Sequence, residues 1–284
     1  MTPDVHTLLP IAEQAVTIAA DILTTRLPGA VTAKGDRDMA TEVDYAVEHA
    51  VRDFLTRETP EIAFLGEEEG GPARGAGPVW ALDPVDGTAN FLHGIPLCGV
   101  SLGLIDGDTS VLGVIDLPFL TSRYSAAHNH GAHLNGRPLH CGQAADLTEA
   151  IVGIGDYAVG QAADARNRLR LAVTGELAAR VQRVRMFGSA AVDLAWTAEG
   201  RIDAAIMLSN KPWDTAAGVL IAREAGAVVV DLDGTPHTVN AQATIATTPA
   251  ILTDLLDLIA KADKNLIKEA RHRPALTNPP QEPT

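Results

Sequence analysis

The sequence predicts a layered α/β fold, with a mixed sheet in the first half of the chain and strands that alternate with helices in the second half. Apolar residues recur at helical spacing in two opening segments, 8–27 and 41–57. Short strand-like runs separated by turn residues follow, up to about residue 117. From residue 150 onward, predicted strands and helices alternate along the chain, which is typical of layered α/β architecture.

The individual elements follow from this periodicity and from turn residues. The first helix ends at Pro28-Gly29, and a polar loop that carries Lys34 leads to the second helix. Four short apolar runs then predict strands, at 62–65, 79–82, 97–105 and 111–117. In the second half we predict strands at 150–154, 203–207 and 228–230, and helices at 163–179, 190–198, 213–225 and 249–260.

We therefore divide the chain into three parts. Residues 1–148 form an N-terminal α+β half, and residues 149–265 form a C-terminal α/β half. Residues 266–284 contain prolines and little apolar periodicity, so we expect a disordered tail.

Charge and cysteine content restrict the functional class. The 284 residues carry a net charge of −14 without a Lys/Arg cluster, which argues against a nucleic-acid or membrane partner. Cys98 and Cys141 are too few for a disulfide framework, and no segment predicts export, so we expect a cytoplasmic protein. The acidity is explained either by solubility or by metal ions that neutralise an anionic substrate.

Two carboxylates follow the predicted strand 79–82, in the run Asp83-Pro84-Val85-Asp86-Gly87-Thr88. Because proline cannot donate to a ladder, we expect the strand to stop there and to present both acids at one sheet edge. Gly87 allows close backbone approach, and Thr88 could begin a helix whose free N–H groups suit a phosphate. The alternative is a solvated turn, since Asp, Pro and Gly are ordinary turn residues.

Two further segments also carry acids beside predicted elements. Gly66-Glu67-Glu68-Glu69-Gly70 follows strand 62–65, and by itself a glutamate run between glycines is usually a solvated loop. Asp214 lies in the first turn of helix 213–225, where the helix dipole alone would explain an acid. Clustered carboxylates repel one another unless a cation or a proton relieves them. None of the three acidic segments identifies a site alone.

Together and in this order, the three segments resemble the inositol monophosphatase family. The resemblance covers about residues 8–262 and rests on Gly66-Glu67-Glu68, on the hexapeptide with Asn90-Phe91 after it, and on Trp213-Asp214. It implies a sugar-phosphatase-like fold of alternating α-β-α-β-α layers and a homodimer. It also implies Mg²⁺-dependent, lithium-sensitive hydrolysis of a small phosphorylated metabolite, with inositol 1-phosphate, cleaved to myo-inositol and phosphate, as the first choice.

The resemblance also implies the site residues. Two or three Mg²⁺ ions would be held by Glu67, Asp83, Asp86 and Asp214 and by the carbonyl of Val85, with the phosphate bridging them. Oxygen ligands without His or Cys are the set that Mg²⁺ prefers, and paired metals can activate water and stabilise a leaving oxygen. The implied catalytic residues are Asp44, Thr88 and Glu67. The implied substrate-binding residues are Val85, Asp86, Gly87, Thr88, Gly188, Ser189, Ala190 and Asp214.

Several of these roles have structural alternatives. Thr88 and Asp44 would form a hydrogen-bonded couple that prepares the attacking water, yet Thr41 with Asp44 also matches a capping box, and both roles can coexist. Ser189 is either a substrate contact or an ordinary N-cap. Lys34 lies in the loop that folds over the metal site in relatives, and its alternative is a solvated surface lysine.

Position 207 departs from the family pattern. Inositol-specific relatives commonly carry a glutamate there that binds ring hydroxyls, whereas Met207 cannot accept such hydrogen bonds. The alternative is that Met207 merely ends a strand and that another residue does this work. Histidinol-phosphatase and fructose-1,6-bisphosphatase activities therefore remain alternatives, and a non-enzymatic binding role is disfavoured by the intact acids.

The run His128-Asn129-His130-Gly131-Ala132-His133 superficially suggests a transition-metal site. The third histidine is out of phase with the first two across Gly131, and no Cys or acid lies close in sequence. A polar hairpin is the better interpretation. His93, just after the hexapeptide, either lies near the mouth of the site or is simply exposed.

Overall fold

A computed structural model of the chain describes residues 4–34, 39–71 and 77–272. The helices in these ranges are α1 (Val5–Thr25), α2 (Glu42–Glu58), α3 (Thr88–Leu92), α4 (Ala163–Ala178), α5 (Ala190–Glu199), α6 (Pro212–Glu224) and α7 (Leu252–His272). The first nine strands are β1 (Val31–Ala33), β2 (Met39–Thr41), β3 (Ala63–Gly66), β4 (Val79–Asp86), β5 (Gly99–Asp106), β6 (Thr109–Leu117), β7 (Ser122–Ala127), β8 (Ala132–Leu134) and β9 (Arg137–Pro138). The strands that follow are β10 (Ile151–Ile154), β11 (Arg183–Arg185), β12 (Ala204–Met207), β13 (Val228–Val230) and β14 (Thr244–Thr247).

Two larger sheets organise the chain. The first has the order β3-β4-β5-β6-β7-β8-β9, in which β3 and β4 are parallel and the other neighbours are antiparallel. The second has the order β11-β10-β12-β14-β13, in which β10 is parallel to β11 and β12, while β14 runs antiparallel to its neighbours. This arrangement confirms the predicted mixed N-terminal sheet and the α/β character of the second half.

The helices cover the sheets in layers. One face of β4 contributes Trp80 and Leu82 to a core shared with α1 and α2. The other face turns Ala81 toward α6, and α5 and α6 fill the space between the two sheets. On the far side of the second sheet, α4 and α7 pack against β10, β12 and β14. The predicted α-β-α-β-α layering is therefore confirmed.

Two glycines set the position of α6 on the first sheet. Gly103 of β5 and Gly113 of β6 are directly paired across the ladder. A Cβ at Gly103 would lie 2.7 Å from the Cβ of Ala216, and one at Gly113 would lie 2.6 Å from the carbonyl oxygen of Ala217. The helix therefore packs directly on the backbone of the sheet, which places its first turn, with Asp214, over the ends of the strands.

Several elements differ from the prediction, and the strands β7, β8, β9, β11 and β14 were not predicted. β4 continues through Pro84 to Asp86, because its pairing with β5 shifts register between Asp83 and Asp86 and so demands no ladder bond from the proline. The supposed polar loop before α2 contains the short pair β1 and β2. α7 continues to residue 272, past the predicted helix end at 260 and past the predicted end of the C-terminal half at 265, because residues 263–270 are mostly strong helix formers. The rest of the predicted tail, 273–284, lies outside the described residues.

By length and composition alone, α1 is apolar enough to cross a membrane. Its apolar residues have another explanation in this fold. Leu8, Ala12, Val16 and Leu23 lie on one face of the helix and are buried in the core that α1 shares with α2 and the first sheet. Core packing therefore accounts for the composition of this helix.

Candidate active site

Parallel pairing of β3 and β4 brings the first two acids together. Gly66 lies beside Leu82 in the register, so Glu67 and Asp83 follow side by side, and the Glu67 N–H donates to the Leu82 carbonyl at 3.1 Å. After burial, the nearby Glu67 carboxylate is the largest cause of the raised pKa of Asp83. The turn after one strand and the last residues of its neighbour therefore supply adjacent carboxyl groups.

Asp86 faces the start of α5. Its Oδ2 accepts a hydrogen bond from the Ala191 N–H at 3.0 Å, whereas its buried Oδ1 has no partner in the part of the chain that the structure describes. Ser189 is the N-cap of α5, with its Oγ accepting from the Val192 N–H at 3.1 Å. The N-cap interpretation of Ser189 is therefore correct, and the helix terminus it caps lies against an acid of the site.

Three of the candidate acids line one cavity of about 260 Å³. Asp83 and Asp86 from β4 line it together with Asp214 from the first turn of α6. The glycine-rich turns contribute Gly87, Gly188, Ser189 and Ala190. A larger cavity of about 530 Å³ lies between α1 and β7, but its buried acid, Asp116, is already paired with Arg123 at 2.6 Å. The smaller cavity is therefore the candidate active site.

The acids of this cavity raise one another's pKa. Burial, and then the charges of Glu67, Asp86 and Asp214, raise the pKa of Asp83 well above its usual range. Burial likewise raises the pKa of Asp86 to about 6. The pKa of Asp214 is also raised well above its usual range, first by burial and then by Asp86 and Glu67. A cation in the cavity would relieve this repulsion.

The residues present fit Mg²⁺ in type and in charge. The donors are all oxygens, they repel one another, and Asp86 Oδ1 is an unpartnered buried ligand atom in the described part of the chain. No three His, Cys, Asp or Glu side chains in those ranges already surround one point as metal ligands. The Lys34 ammonium lies 2.9 Å from Glu67 Oε1 and 2.8 Å from Glu68 Oε1. Lys34 thus forms ion pairs with Glu67 and Glu68, and the alternative of a merely solvated lysine is wrong.

Asp44 and Thr88 meet at the edge of this site. Thr88 Oγ1 lies 3.3 Å from Asp44 Oδ1 and 3.0 Å from the carbonyl oxygen of Val85. The other oxygen of Asp44, Oδ2, accepts the Thr41 N–H at 2.8 Å and the Thr41 hydroxyl, which completes a capping box. The structural and the functional interpretations of Asp44 are therefore compatible. Burial raises the pKa of Asp44, against the opposing effect of these hydrogen bonds.

The remaining candidates lie close to these groups. The Val85 N–H donates to Asp83 Oδ1 at 3.0 Å. Gly87 has a φ of +88°, and a Cβ there would lie 2.9 Å from the Leu97 carbonyl oxygen, so only glycine fits this turn. The polar lining residues Asp156, Arg170, Asp193 and Ser209 were not anticipated from the sequence.

The histidines take no part in the site. His128 lies 3.9 Å from Glu224, and the His130 ring packs edge-on against His6 with centroids 4.2 Å apart. Neither these nor His93 lines the cavity. Within the described ranges, the histidine run forms no metal-ligating group.

Sequence reasoning missed Glu48, which holds the Glu67–Glu69 turn. This carboxylate is fully buried and accepts the N–H groups of Glu68 at 2.8 Å and Glu69 at 3.0 Å. Arg52 neutralises it at 2.6 Å. The sequence signal is an acid one helical turn after Asp44, on the face of α2 that also carries Val47 and Val51.

The Gly66→Ala variant tests the close packing of the Glu48 carboxylate against Gly66. Its Cβ would overlap the Glu48 carboxylate, so we expect the free energy of unfolding to fall by about 2 kcal/mol, as in other overpacked cores. Equilibrium denaturation in urea measures the change. Gly175→Ala is the matched control, because a Cβ within α4 meets nothing there and should stabilise the helix by ~0.5–1 kcal/mol. A Gly66→Ala variant as stable as the parent would rule out the close fit.

Known proteins resemble this chain over most of its length. A profile of the inositol monophosphatase family matches residues 4–267. The probable inositol 1-monophosphatase ImpA of Mycobacterium tuberculosis is 38% identical over 255 residues, which cover 88% of this chain and 94% of that protein. An inositol-1-monophosphatase of Synechocystis sp. is 35% identical over 262 residues, which cover 90% of each chain.

Solved structures give the same result. The inositol monophosphatase from Anabaena (Nostoc) sp. superposes with a TM-score of 0.81 at 31% identity, covering 91% of this chain and 97% of that one. The extragenic suppressor protein suhB from Bartonella henselae superposes with a TM-score of 0.83 at 29% identity, covering 90% and 99% of the two chains. The structural similarity therefore extends over about nine-tenths of this chain.

Proposed function

The chain belongs to the inositol monophosphatase family, and on that premise we propose that it hydrolyses inositol 1-phosphate to myo-inositol and phosphate. Family membership makes it a Mg²⁺-dependent phosphoric monoester hydrolase. The observation that supports this activity best is the group of mutually repelling acids around one cavity, Asp83, Asp86 and Asp214 with Glu67 beside them.

The proposed Mg²⁺ ligands are the side chains of Glu67, Asp83, Asp86 and Asp214 and the carbonyl of Val85, which would hold two or three ions. When bound, Mg²⁺ supplies a Lewis acid that neutralises phosphate charge and makes water nucleophilic near neutral pH. The protein itself fixes these oxygens through the β3–β4 register and through the α6 backbone packed on the sheet. This rigid placement favours the reaction by orienting the reacting groups.

Thr88 and Asp44 are proposed to handle the proton of the attacking water. The Thr88 hydroxyl is shared between Asp44 Oδ1 and the Val85 carbonyl, so its oxygen can accept a proton while its own passes to Asp44. The raised pKa of Asp44 brings this carboxylate closer to the pH at which a general base works best. Glu67, next to Asp83, completes the proposed catalytic set.

The substrate is proposed to lie against two neighbouring glycine turns. The backbone of Gly87 and Thr88 would contact the phosphate, and Gly188, Ser189 and Ala190 at the start of α5 would contact the rest of the ester. A Cβ at Gly87 would lie 3.3 Å from the Gly188 carbonyl oxygen, so the two turns touch. The N–H groups at the start of α5 suit an anionic or polar ligand.

We further propose that the enzyme is a cytoplasmic homodimer and is inhibited by lithium. The charge and cysteine content support the compartment, and the family supports lithium sensitivity. Size-exclusion chromatography with light scattering tests the dimer, and lithium chloride added to the activity assay tests the inhibition. A monomer, or full activity in high lithium, would contradict the respective proposal.

A phosphate-release screen tests the substrate. We expect inositol 1-phosphate to give a kcat/KM at least about tenfold above those of histidinol phosphate and fructose 1,6-bisphosphate, because differences in recognised polar groups discriminate strongly. The relatives named above favour inositol phosphate over both alternatives. A higher kcat/KM for either alternative would overturn the proposed substrate and leave the phosphatase class intact.

A further inference from the structure

Two buried ionic side chains in the cavity have no part in the reaction described above. Asp193 of α5 is 2% exposed and Arg170 of α4 is 6% exposed, and both line the cavity that contains Asp83, Asp86 and Asp214. Charged side chains are seldom this deeply buried unless their hydrogen-bonding groups are used. The contacts around Asp193 and Arg170 therefore indicate which kind of ligand would use their hydrogen-bonding groups.

Asp193 has unused acceptor capacity. Its Oδ1 is buried without a hydrogen-bond partner in the described part of the chain. The carboxyl lies against Gly153 of β10, where a Cβ would come within 2.6 Å of Oδ1. Burial, then Asp86 and Asp156, raise its pKa well above the usual range. A carboxyl group in either protonation state still offers acceptor lone pairs.

Arg170 has unused donors. Its Nη1 donates to the Arg166 carbonyl at 3.3 Å and its Nη2 donates to Ser209 Oγ at 3.1 Å. Both acceptors are neutral, and no ion pair to Arg170 is formed within the ranges that the structure describes. A guanidinium carries five N–H donors, so several are left for a ligand in the cavity.

The apolar side chains that line the same cavity cannot form hydrogen bonds with the polar groups of a ligand. Met207 and Leu208 line the same cavity with apolar side chains, and Met207 lies against Gly155 at an ordinary contact distance. Gly153 and Gly155 are two residues apart, so Asp193 and Met207 cover one face of the same strand end. Of the other polar lining residues, Asp156 is exposed to water. Apart from the proposed metal ligands and Ser189, which caps α5, Asp193 and Arg170 are therefore the buried polar side chains available to a ligand there.

We propose that Asp193 and Arg170 bind the hydroxyl groups of the substrate, with Asp193 accepting and Arg170 donating hydrogen bonds. This inference rests on the proposed function and names the part of the substrate that these residues select, its polyol ring. Each ring hydroxyl both donates and accepts, so adjacent hydroxyls pair with one acceptor and one donor side chain. Arg170 alone would also suit a second anion, but Asp193 and Asp156 in the same cavity disfavour one.

The test compares two substrates in Asp193→Ala and Arg170→Met. Inositol 1-phosphate carries the ring hydroxyls, whereas p-nitrophenyl phosphate carries its phosphate on an aromatic ring without hydroxyl groups. In each variant we expect the ratio of kcat/KM for inositol 1-phosphate to that for p-nitrophenyl phosphate to fall about tenfold or more, mostly through a higher KM for inositol 1-phosphate. Wild-type protein that hydrolyses neither substrate would instead refute the proposed function.

Two further variants keep the test decisive. Asp193→Asn preserves the shape and one acceptor oxygen, so it covers the case in which alanine destabilises α5, and a smaller fall in the ratio is expected. Asp116→Asn is the matched control, a buried acid outside the cavity, and should leave the ratio unchanged. The inference is overturned if the ratio stays within about twofold of wild type in both Asp193 variants. It is also overturned if Arg170→Met lowers kcat/KM for fructose 1,6-bisphosphate more than for inositol 1-phosphate.

Discussion

Asp83→Asn and Asp214→Asn are each expected to lower kcat for inositol 1-phosphate by about three orders of magnitude, because each removes a charged oxygen from the proposed Mg²⁺ site. The fold should survive. The amide introduced by Asp83→Asn retains an Oδ1 that can accept from the Val85 N–H, and position 214 lies in a first helical turn, where asparagine is tolerated. Steady-state phosphate release at saturating Mg²⁺ measures the loss, with Asp116→Asn as a matched buried-acid control.

Asp83→Asn also allows a second, independent measurement. Because burial and then the charges of its neighbours hold the pKa of Asp83 high, removing its charge should raise the melting temperature of the metal-free protein by a few degrees. Added Mg²⁺ should then stabilise the variant less than the wild type. Near-normal turnover, or equal stabilisation of both proteins by Mg²⁺, would refute the ligand role of Asp83.

Thr88→Val is expected to lower kcat about 10²–10³-fold with little change in KM, because it keeps the shape of the side chain and removes the hydroxyl that joins Asp44 to the site. Asp44→Asn should give a loss of similar size. If the two residues act as one unit, the double variant should be little worse than either single one, which a double-mutant cycle measures.

Thr88→Ser is the control for the Thr88 prediction. It retains the hydroxyl and should keep most of the activity. Additive losses in the double variant would contradict the proposed couple and would leave Asp44 with its structural role as the capping partner of Thr41. Circular dichroism distinguishes that outcome from unfolding of α2.

The layering and the acids were predictable from sequence because both depend on local signals. Helical periodicity located α1 and α2, and the short apolar runs located the strands that end in acids. The parallel pairing of β3 with β4, which joins Glu67 to Asp83, is a long-range property, and only the resemblance to a known family anticipated its result.

Other features were beyond local sequence reasoning. β4 passes through Pro84 because its pairing shifts register there, which depends on the neighbouring strand. Glu48 and Asp193 resemble ordinary helical acids until the glycines opposite them, Gly66 and Gly153, are seen to leave room for their carboxylates. Whether a charged residue is buried depends on the elements that pack against it, so the role of such a residue can be inferred only from the tertiary structure.

The central claim, that the acids at this cavity support Mg²⁺-dependent hydrolysis of inositol 1-phosphate, is tested most directly by restoring metal to stripped protein. Phosphate release from inositol 1-phosphate is followed in protein treated with a chelator and dialysed, while Mg²⁺ is added back. We expect no turnover above background without Mg²⁺ and a saturable return of activity with it, which Asp83→Asn does not show. Turnover that persists without metal, or a wild-type protein that stays inactive at saturating Mg²⁺, would contradict the claim.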